Sequence, residues 1–272
     1  MELQATDLSA RLLATENLTV VRANAPTASF DIKSRVLTLP MWKDMTPQIE
    51  DMLVGHEVGH ALYTLDKYIE PIKEQPKLKS YMNILEDVRI EKLIKRKYPG
   101  LRKRMNEGYK QLNDKDFFGV SKVASLDALN LIDRINLYFK AGFQCGVKFE
   151  QDEKNFVNRA ERTETIEEVI ELANDIYKFA KEQAEKKKQE RLASGEADDE
   201  EDGDAEYIDD LDLDGEGWEE EDGDFKEEAE KSAKGKGAGQ DQTEEDLESI
   251  TDRAFEQRQI GRANVWTPVT LI

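Results

Sequence analysis

The stretch MLVGHEVGHALYT, residues 52–64, contains the only two histidines of the chain, His56 and His60, with Glu57 directly after the first. Residues four apart lie one turn apart on the same face of a helix. Two imidazoles at this spacing can bind one zinc ion, and a glutamate after the first can accept a proton from the attacking water. The pattern therefore predicts a metal site with His56 and His60 as ligands and Glu57 as the catalytic base.

The surrounding residues favour a helix over this stretch. Thr46 is a good N-cap and Pro47 suits the first helical position. Gly55 and Gly59 each cost about 1 kcal/mol of helix propensity relative to alanine. A helix that keeps two glycines on one side is expected to have another element packed close to it.

A third metal ligand must come from outside this helix. Catalytic zinc sites usually have three protein ligands, and the chain offers no further histidine and one distant cysteine, Cys145. The third ligand is therefore an aspartate or a glutamate. The segment LKSYMNILEDVRIEKLI, residues 78–94, offers Glu86, Asp87 and Glu91 on a second predicted helix.

Steps of four along this second helix separate its carboxylates. Glu86 is the lone charge in an otherwise apolar row, whereas Asp87 lies in a polar row with Asn83 and Glu91. A buried, unpaired charge is costly, so a metal ion would be a suitable partner for Glu86. We expect Glu86 to be the third ligand and Asp87 to orient a ligand histidine or to replace Glu86 as ligand. The alternative for Glu86 is a buried ion pair with Arg89.

The rest of the chain predicts an α+β protein that is mostly α. A small N-terminal sheet comes first, and the apolar periodicity after it is helical. The expected helices cover 5–15, 46–65, 77–98, 101–113, 125–143 and 164–192, and the expected strands are 18–23 and a hairpin over 27–40.

The net charge of −20 is concentrated in one tract. Residues 196–230 hold 21 acidic residues and one lysine, and the 38 acidic and 38 basic residues elsewhere balance. This composition is typical of a disordered segment. One cysteine excludes an internal disulfide framework, and no apolar run is long enough to cross a bilayer. We expect a cytoplasmic protein.

GHEVGHAL (55–62) followed by NILEDVRIEKLI (83–94) resembles gluzincin-type metallopeptidases. The second string is also similar to the N-terminal region of cobaltochelatase T-type subunits and to predicted von Willebrand-A-linked, phage-type peptidases. In that group an acidic linker leads to a von Willebrand A domain, whose D-x-S-x-S motif this chain lacks. The resemblance implies a zincin-like fold with Zn²⁺ held by His56, His60 and Glu86. It also implies a location in the host cytoplasm if the chain is phage-encoded.

The resulting domain prediction has four parts. They are a zincin-like metal-binding core over 1–115, a helical extension packed on it over 116–192, an acidic disordered linker over 193–242, and a C-terminal helix with a short apolar tail over 243–272.

The predicted function is a zinc-dependent metallopeptidase acting on a peptide or protein substrate. Such enzymes need a donor for the oxyanion, and here the choice stays open among Tyr63, Tyr81, Tyr98, Tyr109 and Arg89. The alternative is a non-catalytic zinc-binding assembly protein with an acidic tether, similar to a cobaltochelatase subunit. We also expect a protein partner for the acidic tract, and neither membrane nor nucleic-acid binding.

Overall fold

The computed structural model describes residues 5–64, 76–121, 123, 125–142, 145–194, 247 and 249–254. These residues form a mostly helical protein with a small N-terminal three-stranded mixed sheet, which confirms the predicted fold class. Residues 193 and 194 of the predicted disordered linker are helical, whereas its remainder, 195–242, and the predicted apolar tail lie outside the described residues.

The sheet contains β1 (Thr19–Ala23), β2 (Ser29–Asp31) and β3 (Val36–Pro40) in the order β1-β3-β2. β2 and β3 form the predicted antiparallel hairpin, and β1 pairs with β3 in parallel. The hairpin turn is fixed by the Asp31 carboxylate, which accepts hydrogen bonds from the backbone N–H groups of Lys33 and Ser34.

Seven α-helices have described bounds. They are α1 (Ala5–Ala14), α2 (Pro47–Tyr63), α3 (Lys79–Lys97), α4 (Leu101–Asp114), α5 (Leu131–Ala141), α6 (Lys154–Arg162) and α7 (Ile166–Ser194). Residues 250–254 are also helical, and short 3₁₀ turns precede α3 (Pro76–Leu78) and α5 (Leu126–Ala128). None of the helices in the described ranges is long and apolar enough to cross a membrane.

Helix α2 begins as the sequence predicts, with the Thr46 hydroxyl accepting a hydrogen bond from the backbone N–H of Ile49. Its glycines permit close packing. A Cβ on Gly59 would lie 3.1 Å from Cδ1 of Ile90 on α3, and one on Gly55 would be in ordinary contact with Met105 on α4. The close approach of α3 brings the two predicted site helices together.

The apolar residues form two buried clusters. One packs the sheet, α1, α2 and α4 together, and the other packs the first half of α3 against α5, α6 and α7. The described residues fall into two compact units. One unit contains the described residues up to Glu182 together with Leu247 and 249–254. The described part of the other unit, 183–194, is the last part of α7. The domain boundary predicted at residue 115 stays a prediction.

The helices of the structure differ from the prediction at two places. α5 begins at Leu131 rather than near residue 125, because the Asn130 side chain caps it by accepting from the N–H of Asp133. α6 was not predicted. Its sequence KNFVNRAER is mostly polar, and a single residue of the helix, Ala160, is fully buried.

Candidate metal centre

Three side chains from two helices converge on one point. Nε2 of His56 and Nε2 of His60, both on α2, lie 3.6 and 3.3 Å from Oδ1 of Asp87 on α3. The three ligand atoms lie within 4.8 Å of one another, and the imidazole rings meet edge to face. His56, His60 and Asp87 form a group that could hold a metal ion.

The ring orientation of His60 is fixed by a chain of hydrogen bonds. The Thr64 hydroxyl donates its one proton to Oε1 of Glu86 at 2.6 Å. It must therefore accept from Nδ1–H of His60, which lies 2.9 Å away. In the neutral imidazole, a proton on Nδ1 leaves the lone pair on Nε2, the atom that faces the Asp87 carboxylate, as a metal ligand requires.

His56 is oriented in the same way by Glu91. Nδ1 of His56 lies 3.1 Å from Oε1 of Glu91, whose other oxygen is 2.7 Å from Nζ of Lys95. The Tyr109 hydroxyl also donates to Glu91. Burial by itself would raise the pKa of Glu91. Lys95 and His56 outweigh that effect and lower the pKa to about 2. The charged carboxylate therefore accepts from Nδ1–H of His56 and leaves Nε2 free as a donor to a metal.

This arrangement favours a cation. Two nitrogen lone pairs and a carboxylate oxygen face one another, and without a positive charge between them they repel. The pKa of His56 also reflects a preference for positive charge at this point. Burial lowers that pKa, but the nearby carboxylates, Asp87 and Glu91 foremost, more than compensate and raise it. Two imidazoles and one carboxylate are also a donor set that suits zinc, so the residues fit the predicted metal.

Glu57 lies beside the ligand group with one carboxylate oxygen uncommitted. The residue is 3% exposed, and its Oε2 is buried without a hydrogen-bond partner among the described residues. Burial raises the pKa of Glu57, and the neighbouring His56 and His60 oppose that rise. A buried carboxylate with a free oxygen is suited to accept and release a proton.

Lys140 was not predicted as a site residue. Its Nζ lies 2.7 Å from Oδ2 of Asp87, so Asp87 presents its other oxygen to the histidines. Burial raises the pKa of Asp87, but Lys140 and the histidines hold that pKa well below its usual value. A signal was present in the sequence, because Lys140 is the lone charge in LYFKAGF, residues 137–143.

Glu86 does not join the histidines, so the predicted ligand assignment is corrected. Its carboxylate is 1% exposed and accepts two hydrogen bonds of 2.7 Å from the guanidinium of Arg89. The ion pair that stood as the alternative is therefore the one formed. Through the Thr64 hydroxyl, Glu86 instead supports His60, which is the outer role that the sequence assigned to Asp87.

Most of the oxyanion donors considered from the sequence are already bonded elsewhere. The hydroxyls of Tyr81, Tyr98 and Tyr109 donate to Leu247 O, Leu13 O and Glu91 respectively, and Arg89 holds Glu86. For Tyr63, the structure shows its carbonyl accepting from Arg89. None of these bonds connects a donor to the ligand atoms themselves.

Comparison with other proteins adds no family to this picture. No family model matches the chain, and no curated protein or solved structure matches it. The functional assignment therefore rests on the geometry and chemistry of the site.

Proposed function

We propose that the protein is a zinc-dependent metallopeptidase, with His56, His60 and Asp87 as the metal ligands and Glu57 as the general base. One observation carries the proposal. Two imidazoles with their lone pairs set by outer partners face one carboxylate oxygen, beside a buried glutamate that has a free oxygen. The H-E-x-x-H spacing, with both histidines on one helix, supports the same chemistry.

The charges around the group suit a divalent ion. When ionised, Glu57, Asp87 and Glu91 contribute three negative charges, and Lys95 and Lys140 contribute two positive charges. Glu86 and Arg89 neutralise each other outside this set. With neutral histidines the site is left with a net charge near −1, which favours binding of a cation.

Each residue has a separate task in peptide hydrolysis. A zinc ion in this site would supply Lewis acidity, polarising the scissile carbonyl and lowering the pKa of a bound water. Glu57 would accept the water proton on its free Oε2 and pass it to the leaving amine. Lys140 would hold Asp87 with one oxygen turned to the histidines.

The substrate in this proposal is an extended peptide. β2 pairs on one side with β3 and lies at the edge of the sheet, and α2 packs against both strands. An exposed strand edge can take up an extended chain through main-chain hydrogen bonds. This geometry is compatible with a broad sequence preference, because main-chain bonds do not read side chains.

The proposal is tested by zinc content and proteolysis in the same preparations. Wild type is expected to bind about one zinc ion per chain, consistent with one three-ligand site, and to cleave fluorescently labelled casein. Glu57→Gln should keep the zinc and lose at least about 100-fold in turnover, because general-base catalysis typically contributes that much. Glu107→Gln, the same change at a half-buried side chain of α4 that pairs with Lys103, serves as the control. Absence of zinc, or full turnover in Glu57→Gln, would overturn the proposal.

A second candidate is a non-catalytic zinc-binding assembly protein. It is favoured by the hydroxyls of Tyr81, Tyr98 and Tyr109, which donate to Leu247 O, Leu13 O and Glu91. The Tyr109 hydroxyl also lies 3.3 Å from Nδ1 of His56, on the side of the ring away from Nε2. In that case zinc binds as above, no casein is cleaved, and Glu57→Gln has no functional effect. Removing zinc with a chelator would then lower the thermal midpoint without abolishing any activity.

A further inference from the structure

The end of the described chain returns to the core in a specific way. Leu247 and residues 249–254, named here the docking segment, belong to the same compact unit as the site helices. Ser249 and Thr251 are 3% and 2% exposed, whereas Ile250 between them is 41% exposed. At these three positions the segment therefore buries its small hydroxyl side chains and leaves the apolar one at the surface, the reverse of ordinary core packing.

One carboxylate explains this reversal. Asp133 on α5 is completely buried. Its Oδ1 accepts from Ser249 Oγ at 2.7 Å, from Thr251 N–H at 2.9 Å and from Thr251 Oγ1 at 2.5 Å. Its Oδ2 accepts from the N–H of Ile250 at 3.0 Å. All four of these donors belong to the docking segment.

Other core groups meet the segment on both sides of Asp133. The Tyr81 hydroxyl donates to the carbonyl of Leu247, and the Asn136 amide donates to Oγ1 of Thr251, each at 2.9 Å. Gly119 has φ +67°, and a Cβ there would lie 2.8 Å from Cβ of Ala254. The core surface thus supplies one acceptor, Asp133, and two donors, Tyr81 and Asn136. At Gly119 it leaves room for Ala254 that any larger side chain would fill.

A buried carboxylate is costly unless donors surround it. Asp133 obtains these four donors from a segment separated from α7 by residues 195–246, not from its own neighbours in sequence. The core surface around Asp133 is therefore shaped for this segment. The bonds to two hydroxyls and two consecutive N–H groups specify the pattern Ser-x-Thr.

We propose that the surface formed by Asp133, Asn136, Tyr81 and Gly119 is a peptide-docking groove whose occupant is the docking segment of the same chain, recognised as Ser-x-Thr. Recognition resides in the groove and the segment, so it does not require the covalent connection between them. Covalent connection within one chain raises the effective concentration of the segment at the groove. The groove is independent of the proposed peptidase activity.

The test separates the segment from the core in the otherwise complete chain. A recognition sequence for a site-specific protease is inserted between Gly215 and Glu216, and the purified protein is cut to completion, as verified by mass spectrometry. Size-exclusion chromatography and native mass spectrometry at micromolar concentration then show whether the two pieces stay together. In wild type we expect a stoichiometric complex.

Variants of the segment identify the recognition. Ser249→Ala with Thr251→Val removes both hydroxyl donors without touching the core, and we expect the complex to weaken at least tenfold. Ile250→Ala is the matched control, because its N–H still reaches Asp133 and its side chain is exposed. The proposal is overturned if the wild-type pieces separate at micromolar concentration, or if the double variant binds as tightly as wild type.

Discussion

The neighbouring carboxylates of Glu86 and Asp87 lie on two faces of α3 and have opposite kinds of partner. On one face Glu86 is enclosed by Arg89 and the Thr64 hydroxyl, so its charge is neutralised within the protein. On the next face Asp87 has Lys140 on one oxygen and two imidazole nitrogens near the other. The first face is a closed ion pair, and the second is open to a cation. The difference shows that burial of a carboxylate does not by itself indicate a metal ligand.

The largest effect is expected from a variant that breaks the Glu86–Arg89 ion pair. Glu86→Ala leaves the Arg89 guanidinium buried without its counter-charge, and we expect the free energy of unfolding to fall by about 3–5 kcal/mol. Urea denaturation followed by far-UV circular dichroism measures this loss. Glu86→Leu combined with Arg89→Met should recover part of it, since removing both charges leaves no unpaired buried charge. A loss below about 1 kcal/mol in the single variant would mean that the pair is not closed.

The next largest effect is expected on zinc affinity, from a change in Glu91, the carboxylate that orients His56. Glu91→Gln removes the charge that accepts from Nδ1–H of His56, and we expect zinc affinity to fall about 10- to 100-fold, as for other outer partners of metal-bound histidines. Chelator competition measures the affinity. Glu107→Gln should leave the affinity unchanged, because Glu107 pairs with Lys103 on α4 and makes no contact with the described ligand residues. Unchanged affinity in Glu91→Gln would show that Glu91 does not orient His56.

The smallest effect lies on the exposed side of α3, where Arg96 and Lys92 pair with Glu164. Glu164→Gln is expected to lower the free energy of unfolding by at most about 1 kcal/mol at pH 7. Arg96 and Lys92 hold the pKa of Glu164 below its usual value, 4.5. The stabilisation is therefore present above pH 4.5 and is lost as the pH falls below it.

Urea titrations at pH 7 and pH 3 measure this contribution. The difference between wild type and Glu164→Gln should shrink at pH 3. A difference that grows on acidification would contradict the direction of the pKa shift.

The sequence predicted the helix that carries the histidines from the Thr46 N-cap and the Pro47 that follows it, and the structure confirms both. The three-stranded sheet was also predicted, since the hairpin residues alternate around a short polar turn. The glycines of α2 correctly indicated a close neighbour, which is Ile90 of α3 at Gly59. These features depend on local pattern, and local pattern is readable from one sequence.

The choice between Glu86 and Asp87 was not readable in this way. The rows of α3 were correct, but which row faces α2 depends on how the helices pack. Arg89, three residues after Glu86, supplied the partner that the metal was expected to provide. Lys140 comes from α5, far along the chain, so its pairing with Asp87 is a tertiary contact that spacing along one helix does not reveal.

The central claim is that Asp87, and not Glu86, completes the metal site. The most direct test compares zinc stoichiometry and affinity in Asp87→Asn and Glu86→Gln, the same chemical change at adjacent residues, both of which keep the size of the side chain. The account predicts that Asp87→Asn loses the bound zinc, while Glu86→Gln keeps about one ion per chain with affinity within about tenfold of wild type, the smaller end of the effect of an outer partner. Retention of zinc by Asp87→Asn together with its loss from Glu86→Gln would contradict the account.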